Sequence, residues 1–347
     1  MRSARTPGPA VAPLRVGVLG CASIARRRML PAMLATPEVT PVAVASRDPA
    51  KAAALARDFG LEPVTGYDAL LARDDLDAVY VPLPVTLHAT WVDRALRAGR
   101  HVLCEKPLTG EGGSSARLVR TARERGLVLM ESMMFVRHSQ HRVVREIVAS
   151  GGIGSLRSLT AEFAFPPKPA TDMRYTPAGG GALPEIGVYP LRTAQLYLGS
   201  DLRVRGAVLH RDAGLGVDLS GAALLSTPDG RPAHLTWGME HAYRSAYELW
   251  GSEGRLVVEW AYTPPADHSP VIRIERQDGS ERRVLEPHDQ FRDVLECFCR
   301  AVRTGCEDGL QGGEIVALAE LVDQVREAAS AGGGGGARAS RPPGGHA

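Results

Sequence analysis

The chain has 347 residues, 44% hydrophobic and 23% charged, which is enough for two domains that each bury a core. A net charge of +2 gives no field to gather nucleic acid or an anionic membrane, and no segment approaches the ~20 apolar residues of a membrane span. The first thirteen residues carry arginines but no apolar run behind them, and the five cysteines show no metal-ligand spacing. These features read as a soluble, cytoplasmic protein with reduced, packed thiols.

From residue 14 the pattern alternates. Leu14 to Leu19 is a short apolar strand ending at Gly20; an alanine- and arginine-bearing helix follows, then a strand at Pro41 to Ala45 and a helix at Lys51 to Phe59. Leu76 to Leu83, Arg100 to Cys104 and Val128 to Glu131 read as further strands, with helices at His88 to Ala98 and Ser114 to Arg125. Strands and helices alternating at this spacing predict a parallel, doubly wound, Rossmann-like α/β domain over 14–133, after a flexible tail at 1–13.

The period then changes. After a helix at His141 to Ala149, the segments Ser158 to Phe165, Gly221 to Ser226, His234 to Met239, Arg255 to Trp260 and Val271 to Glu275 alternate with period two. They predict an open-faced antiparallel sheet. Helices at Gln290 to Arg303 and Glu314 to Ala328 close this second, α+β domain over 134–329, and a glycine-rich tail at 330–347 is expected to be disordered.

Gly20-Cys21-Ala22-Ser23-Ile24-Ala25 stands where a dinucleotide fold turns from its first strand into a helix, with alanines where glycines are commonest. The helix start offers free N–H groups to a phosphate. The second strand ends in Ser46-Arg47 rather than in an acid; a hydroxyl and a guanidinium suit a 2′-phosphate, so NADP(H) is expected. Ser46 also reads as a helix cap and Arg47 as a solvated side chain, and Arg26-Arg27-Arg28 fits either a phosphate or a solvated helix face.

Lys106, in Glu105-Lys106-Pro107, follows an apolar strand at the carboxyl end of the sheet, where such folds bind ligands. A lysine there is partly desolvated, and its charge or its proton is available for use. Downstream, Gly179-Gly180-Gly181 allows a close bend, and Pro184 is tolerable in a first helical turn. Glu185 and Tyr189, four apart, would share one face of a helix that Gly187 and Pro190 should leave short or kinked.

The E-K-P triplet with the GGG-x-L-x-x-x-G-x-Y segment resembles the glucose–fructose oxidoreductase/inositol dehydrogenase/MocA-type NAD(P)-dependent oxidoreductases over about residues 14–330. Gly20 to Ala25, Pro82-Leu83-Pro84 with His88, and Gly187-Val188-Tyr189-Pro190 are most similar to the sugar-nucleotide 3-ketoreductases of deoxysugar and antibiotic biosynthesis. The resemblance implies a cofactor site including Pro82, Leu83, His88, Glu105 and Lys106, a small-molecule sugar-nucleotide substrate, and oligomerisation through the C-terminal sheet. It also implies that Lys106 and Tyr189 flank the nicotinamide and the reacting carbonyl. On this reading Tyr189 protonates the alkoxide, Lys106 steadies that charge and acidifies the phenol, and Glu185 orients sugar hydroxyls. Glu185 stands where the family usually has aspartate, and Pro184 where it has an aliphatic residue.

Arg137, Arg142, Lys168 and Arg174 are candidates to meet a nucleoside diphosphate, but the sequence does not place them. His138 and His141 lack a nearby carboxylate, so hydrogen-bonded structural roles are favoured over a metal. The competing functions are an NADP-dependent dehydrogenase of a free sugar or dihydrodiol, and a non-catalytic dinucleotide sensor. Retention of both Lys106 and Tyr189 argues against the sensor.

Overall fold

The computed structural model describes residues 12–305 and 312–332. Six parallel strands, β1 (Leu14–Leu19), β2 (Val39–Ser46), β3 (Glu62–Thr65), β4 (Ala78–Val81), β5 (His101–Glu105) and β6 (Leu129–Ser132), form one sheet in the order β3-β2-β1-β4-β5-β6. Their connecting helices are α1 (Leu30–Ala35), α2 (Pro49–Phe59), α3 (Tyr67–Leu71), α4 (Val85–Arg97) and α5 (Gly112–Glu124). The strand order reverses between β1 and β4. The loops after these two strands therefore part and open a crevice at the carboxyl end of the sheet. Both faces of β1, β2, β4, β5 and β6 are covered, which is why these strands read as apolar runs rather than alternations, whereas the edge strand β3 is largely exposed.

After α6 (Ser139–Ala149) the chain builds the second sheet from β7 (Leu156–Ala164), β8 (Arg203–Asp212), β9 (Val217–Ser226), β10 (Pro232–Gly238), β11 (Arg244–Gly251), β12 (Gly254–Glu259), β13 (Val271–Arg276) and β14 (Gly279–Val284). Their order is β14-β13-β12-β11-β7-β10-β9-β8. It is not wholly antiparallel: β7 and β10 run parallel, because α7 (Val188–Leu198) and the β8–β9 hairpin lie between them in the chain. Ser252-Glu253 is the turn joining β11 to β12, as its Gly-Ser-Glu-Gly composition predicts.

α7 packs against β7 and β10. The closing helices α8 (Gln290–Thr304) and α9 (Gly313–Gly332) serve both halves of the molecule rather than the second alone. α8 lies on α1, and its Cys299 thiol approaches Glu38 O at 3.7 Å. α9 lies between α5 and β8, where Asp323 Oδ2 accepts the Gly112 N–H at 2.8 Å. One apolar cluster accordingly runs from Val18 and Met29 under the first sheet to Trp237 and Leu256 under the second. This shared core fixes the two halves of the crevice relative to each other. α9 continues through residues 330–332; the rest of the expected C-terminal tail, residues 1–11 of the N-terminal one and Cys306 lie outside the described residues.

Candidate active site

The crevice is built from strand ends. Gly20 follows β1 with φ +122°, and a Cβ there would lie 2.8 Å from Leu83 Cδ2, so a side chain would collide with the turn after β4. Pro82 and Leu83 are buried and roof the Gly20 turn. Helical bonding begins with the Arg26 N–H, which donates to Ala22 O at 3.2 Å. The N–H groups of the turn ahead of it have no preceding carbonyl to bond and can meet an anion. The helix passes through a π-turn at Ala25–Met29, which accommodates Pro31 and its missing N–H.

The donors at the end of β2 fit a phosphorylated ribose. The Ser46 hydroxyl accepts the Asp48 N–H at 3.1 Å and keeps its own proton to donate. Arg47 is exposed beside it. Asp48, the acid nearest this position, caps α2 by accepting from Ala50 N at 2.9 Å and Lys51 N at 3.3 Å. The cap is Asp48 and not Ser46, and that carboxylate is committed to the helix rather than open to a ribose diol. Cys21 lies by Ser46, with burial pushing its thiol up against the pull of Ser46 and Arg26. Arg26 itself pairs with Asp58, while Arg27 and Arg28 are exposed. This donor set is suited to NADP(H).

Lys106 follows β5 and meets the helix that carries Glu185 and Tyr189. Its Nζ donates to Glu185 O at 2.6 Å and to Glu185 Oε2 at 3.2 Å, and lies 5.1 Å from the centroid of the Tyr189 ring. Burial pulls the ammonium pKa down, but Glu185, Tyr189 and Glu105 outweigh it, so Lys106 stays charged. Its charge is the property in use.

Tyr189 is 4% exposed, and its ring is packed by Phe163 at 5.0 Å, Tyr262 at 5.5 Å and Phe135 at 5.6 Å. Each aromatic pair contributes about 1 kcal/mol beyond its buried area. The hydroxyl has a weak contact at 4.0 Å with Met134 Sδ. Burial pushes the phenol up to about 12, although Lys106 lowers it. The expected acidification is therefore present as an influence but outweighed.

The segment entering this helix differs from its sequence reading. Leu183–Gly187 forms a π-turn that runs into α7, so of the two expectations the helix is not short, and the wider turn at Gly187 is the distortion that accommodates the missing N–H of Pro190. Gly181 has φ +84°, and a Cβ there would lie 2.6 Å from Asp218 Oδ1. That carboxylate in turn accepts the Leu183 N–H at 2.7 Å through Oδ2. The Glu185 carboxylate is engaged by the protein at both oxygens: Oε2 meets Lys106, and Oε1 accepts from Arg174 Nε at 2.6 Å. Burial would raise its pKa, but Lys106 and Arg174 reverse the shift and keep it anionic.

His88 and Glu105 work beneath the surface. His88 is fully buried, with Nδ1 2.9 Å from Pro107 O and Nε2 2.7 Å from Leu83 O, so it braces the Lys106 turn against the roof of the Gly20 turn. Glu105 accepts from the Tyr80 hydroxyl at 2.7 Å and from Lys106 N at 3.3 Å. Of the four basic candidates, Arg174 reaches this group of residues, bridging Glu185 and Asp172. Arg142 pairs with Glu146 at 2.8 Å, Lys168 lies 5.4 Å over the Phe165 ring, and Arg137 lines a separate cavity of about 310 Å³ with Arg145 and Arg192. His138 caps α6, accepting the Gln140 N–H at 3.2 Å, and His141 bonds Tyr247 and Ala261 O at 2.9 Å each.

Sequence reasoning missed Glu131, which accepts the Leu108 N–H at 2.7 Å, and Tyr80. The available signal was a carboxylate inside an otherwise apolar buried strand.

Comparison with known proteins places the chain in a family. Residues 14–133 match the oxidoreductase family with an NAD-binding Rossmann fold, and residues 141–257 match the GFO/IDH/MocA C-terminal domain. The chain is 56% identical over 326 residues to a dTDP-3,4-didehydro-2,6-dideoxy-alpha-D-glucose 3-reductase from Streptomyces violaceoruber, covering 91% of this chain and 95% of that one. It is 35% identical to a D-xylose 1-dehydrogenase (NADP(+)) from Haloferax volcanii, covering 90% and 96%. A 3-ketoreductase from Actinomadura kijaniata, crystallised with NADP and TDP-benzene, superposes with a TM-score of 0.89 at 52% identity, covering 91% of this chain and 98% of that one. With both domains matched and relatives above 50% identity over nine-tenths of its length, the chain belongs to the Gfo/Idh/MocA oxidoreductases and is closely related to the dTDP-sugar 3-ketoreductases.

Proposed function

We propose that this protein reduces the 3-keto group of a deoxysugar carried on thymidine diphosphate, with NADPH as reductant. NADPH, when bound in the crevice beside Gly20 and Ser46, supplies the hydride. The observation that carries the reading is a charged Lys106 ammonium 5.1 Å from the Tyr189 ring centroid. The activity named for the Streptomyces relative and the ligands of the Actinomadura enzyme support the substrate class.

Tyr189, fully protonated at neutral pH because burial holds its phenol up to about 12, donates its proton to the oxygen of the reduced carbon. An alkoxide is a stronger base than a phenolate, so this transfer runs downhill without an acidified phenol. Lys106 then offsets the charge on the phenolate or the alkoxide, its ammonium held in place by Glu185. Glu185 acts on the substrate through Lys106 and Arg174 rather than directly.

The outer face of the second sheet carries Val208 (66% exposed), Leu224 and Trp250 (61%) among ion pairs such as Arg255–Glu275 at 2.7 Å and Arg244–Glu162 at 2.7 Å. Mixed apolar and paired-charge rows of this kind suit self-association, and we assign homo-oligomerisation to this face. No helix among the described residues is long and apolar enough to cross a membrane. Cys21, Cys104, Cys297 and Cys299 form no disulfide and suit the reducing cytoplasm, where we place the protein.

Calorimetric titration with NADPH, NADH and thymidine diphosphate tests this reading. NADPH bound in preference to NADH, with a separate site for the diphosphate, is the expected result. NADPH binding with no response to the diphosphate would move the assignment to a free-sugar dehydrogenase.

A further inference from the structure

Glu131 lies in β6 beside Leu129, Met130 and Ser132 and is 2% exposed. A carboxylate in such a place is retained for the bonds it makes. β5 and β6 pair in parallel with Cys104 opposite Glu131 and Glu105 opposite Ser132. The chain leaving β5 turns back across the end of β6, and this brings the Leu108 N–H to Glu131 Oε1 at 2.7 Å.

We infer that Glu131 is a positioning residue for the reaction: by holding the Leu108 amide it fixes the turn Glu105-Lys106-Pro107-Leu108, and with it the ammonium of Lys106 relative to Tyr189. This inference rests on the role proposed above for Lys106.

Buried side chains from three elements grip that turn at two peptide groups, Glu105–Lys106 through its N–H and Pro107–Leu108 through both its C=O and its N–H. Tyr80 of β4 holds the Glu105 carboxylate, which accepts the Lys106 N–H at 3.3 Å; His88 of α4 meets Pro107 O; Glu131 of β6 meets Leu108 N. A lysine has a flexible four-carbon stem, so the reach of its ammonium is set largely by where its backbone is pinned. Burial raises the Glu131 carboxyl, while the charges of Arg192, on the same helix as Tyr189, and of Lys106 oppose that rise, with Glu105 adding to it.

The test compares Glu131→Gln, which keeps an acceptor oxygen, with Glu131→Leu, which removes it. Glu131→Gln is expected to keep kcat within about threefold, and Glu131→Leu to lower kcat about tenfold or more with KM for NADPH within about twofold. Wild-type kcat in Glu131→Leu, or equal losses in both variants, would overturn the inference. Should Glu131→Leu not fold, hydrogen exchange at the Leu108 amide in Glu131→Gln decides: protection and kcat both kept is expected, and either one lost without the other overturns it. Wild-type turnover in Lys106→Met would instead refute the role of Lys106, and the exchange measurement reads the hold on the turn independently of that.

Discussion

The ammonium of Lys106 lies 5.1 Å from the centre of the Tyr189 ring, yet its hydrogen bonds go to Glu185. Charge and proton donor are thereby held close without being bonded to each other. Glu185 shares its carboxylate between Lys106 and Arg174, so a residue adjoining the site, rather than the substrate, sets where the lysine points.

Tyr189→Phe removes the proton donor and leaves the ring packing against Phe163 and Tyr262 intact. Turnover of the keto-sugar nucleotide is expected to fall on the order of 10²-fold, while the dissociation constant for NADPH, read by fluorescence, stays unchanged. Because burial holds the phenol up to about 12, kcat should show no loss of the acid form through the mildly alkaline range.

Arg47→Ala removes the exposed guanidinium beside Ser46. Loss of one charge-assisted phosphate contact should raise KM for NADPH roughly tenfold and leave KM for NADH unaltered. Steady-state kinetics with both cofactors check this, and a parallel rise for NADH would remove Arg47 from the phosphate site.

Gly181→Ala places a Cβ 2.6 Å from Asp218 Oδ1 at a residue with φ +84°. Asp218 bonds the Leu183 amide at the start of the helix that bears Glu185 and Tyr189. Thermal unfolding should show a destabilisation of about 1–3 kcal/mol, accompanied by a loss of kcat.

Burial, with His288 and His268 adding to it, lowers the His138 imidazole to about 4. The unfolded chain, with histidine near ~6.5, binds more protons between those values, so stability is present above the unfolded pKa and is lost as pH falls toward 4. His138→Asn keeps a side chain able to cap α6. It should flatten the acid limb of the melting curve by up to roughly 3 kcal/mol.

Much of this architecture is legible in the residues. Leu14–Leu19 and the Lys51 and Gln290 helices announce themselves because buried parallel strands are continuous apolar runs and amphipathic helices keep their period. β14, with the polar sequence Gly279–Val284, and β8 escaped because edge strands lack a clean alternation of buried and exposed positions. At the site, Lys106, Glu185 and Tyr189 were readable as chemistry, but their mutual bonding was not. Glu185 looked free for substrate because nothing in the sequence brings Arg174 of the preceding loop to its second oxygen. The phenol looked acidified because a neighbouring lysine is visible in sequence, while the aromatic packing that desolvates it is not.

The most direct test of the account is to supply NADPH carrying deuterium at both C4 positions and a dTDP-linked 3-keto deoxysugar and locate the label in the product by mass spectrometry and NMR. The account requires one deuterium at C3 of the nucleotide sugar with stoichiometric oxidation of the cofactor. No label in the sugar, with NADP+-dependent oxidation of D-xylose by the same preparation, would contradict it.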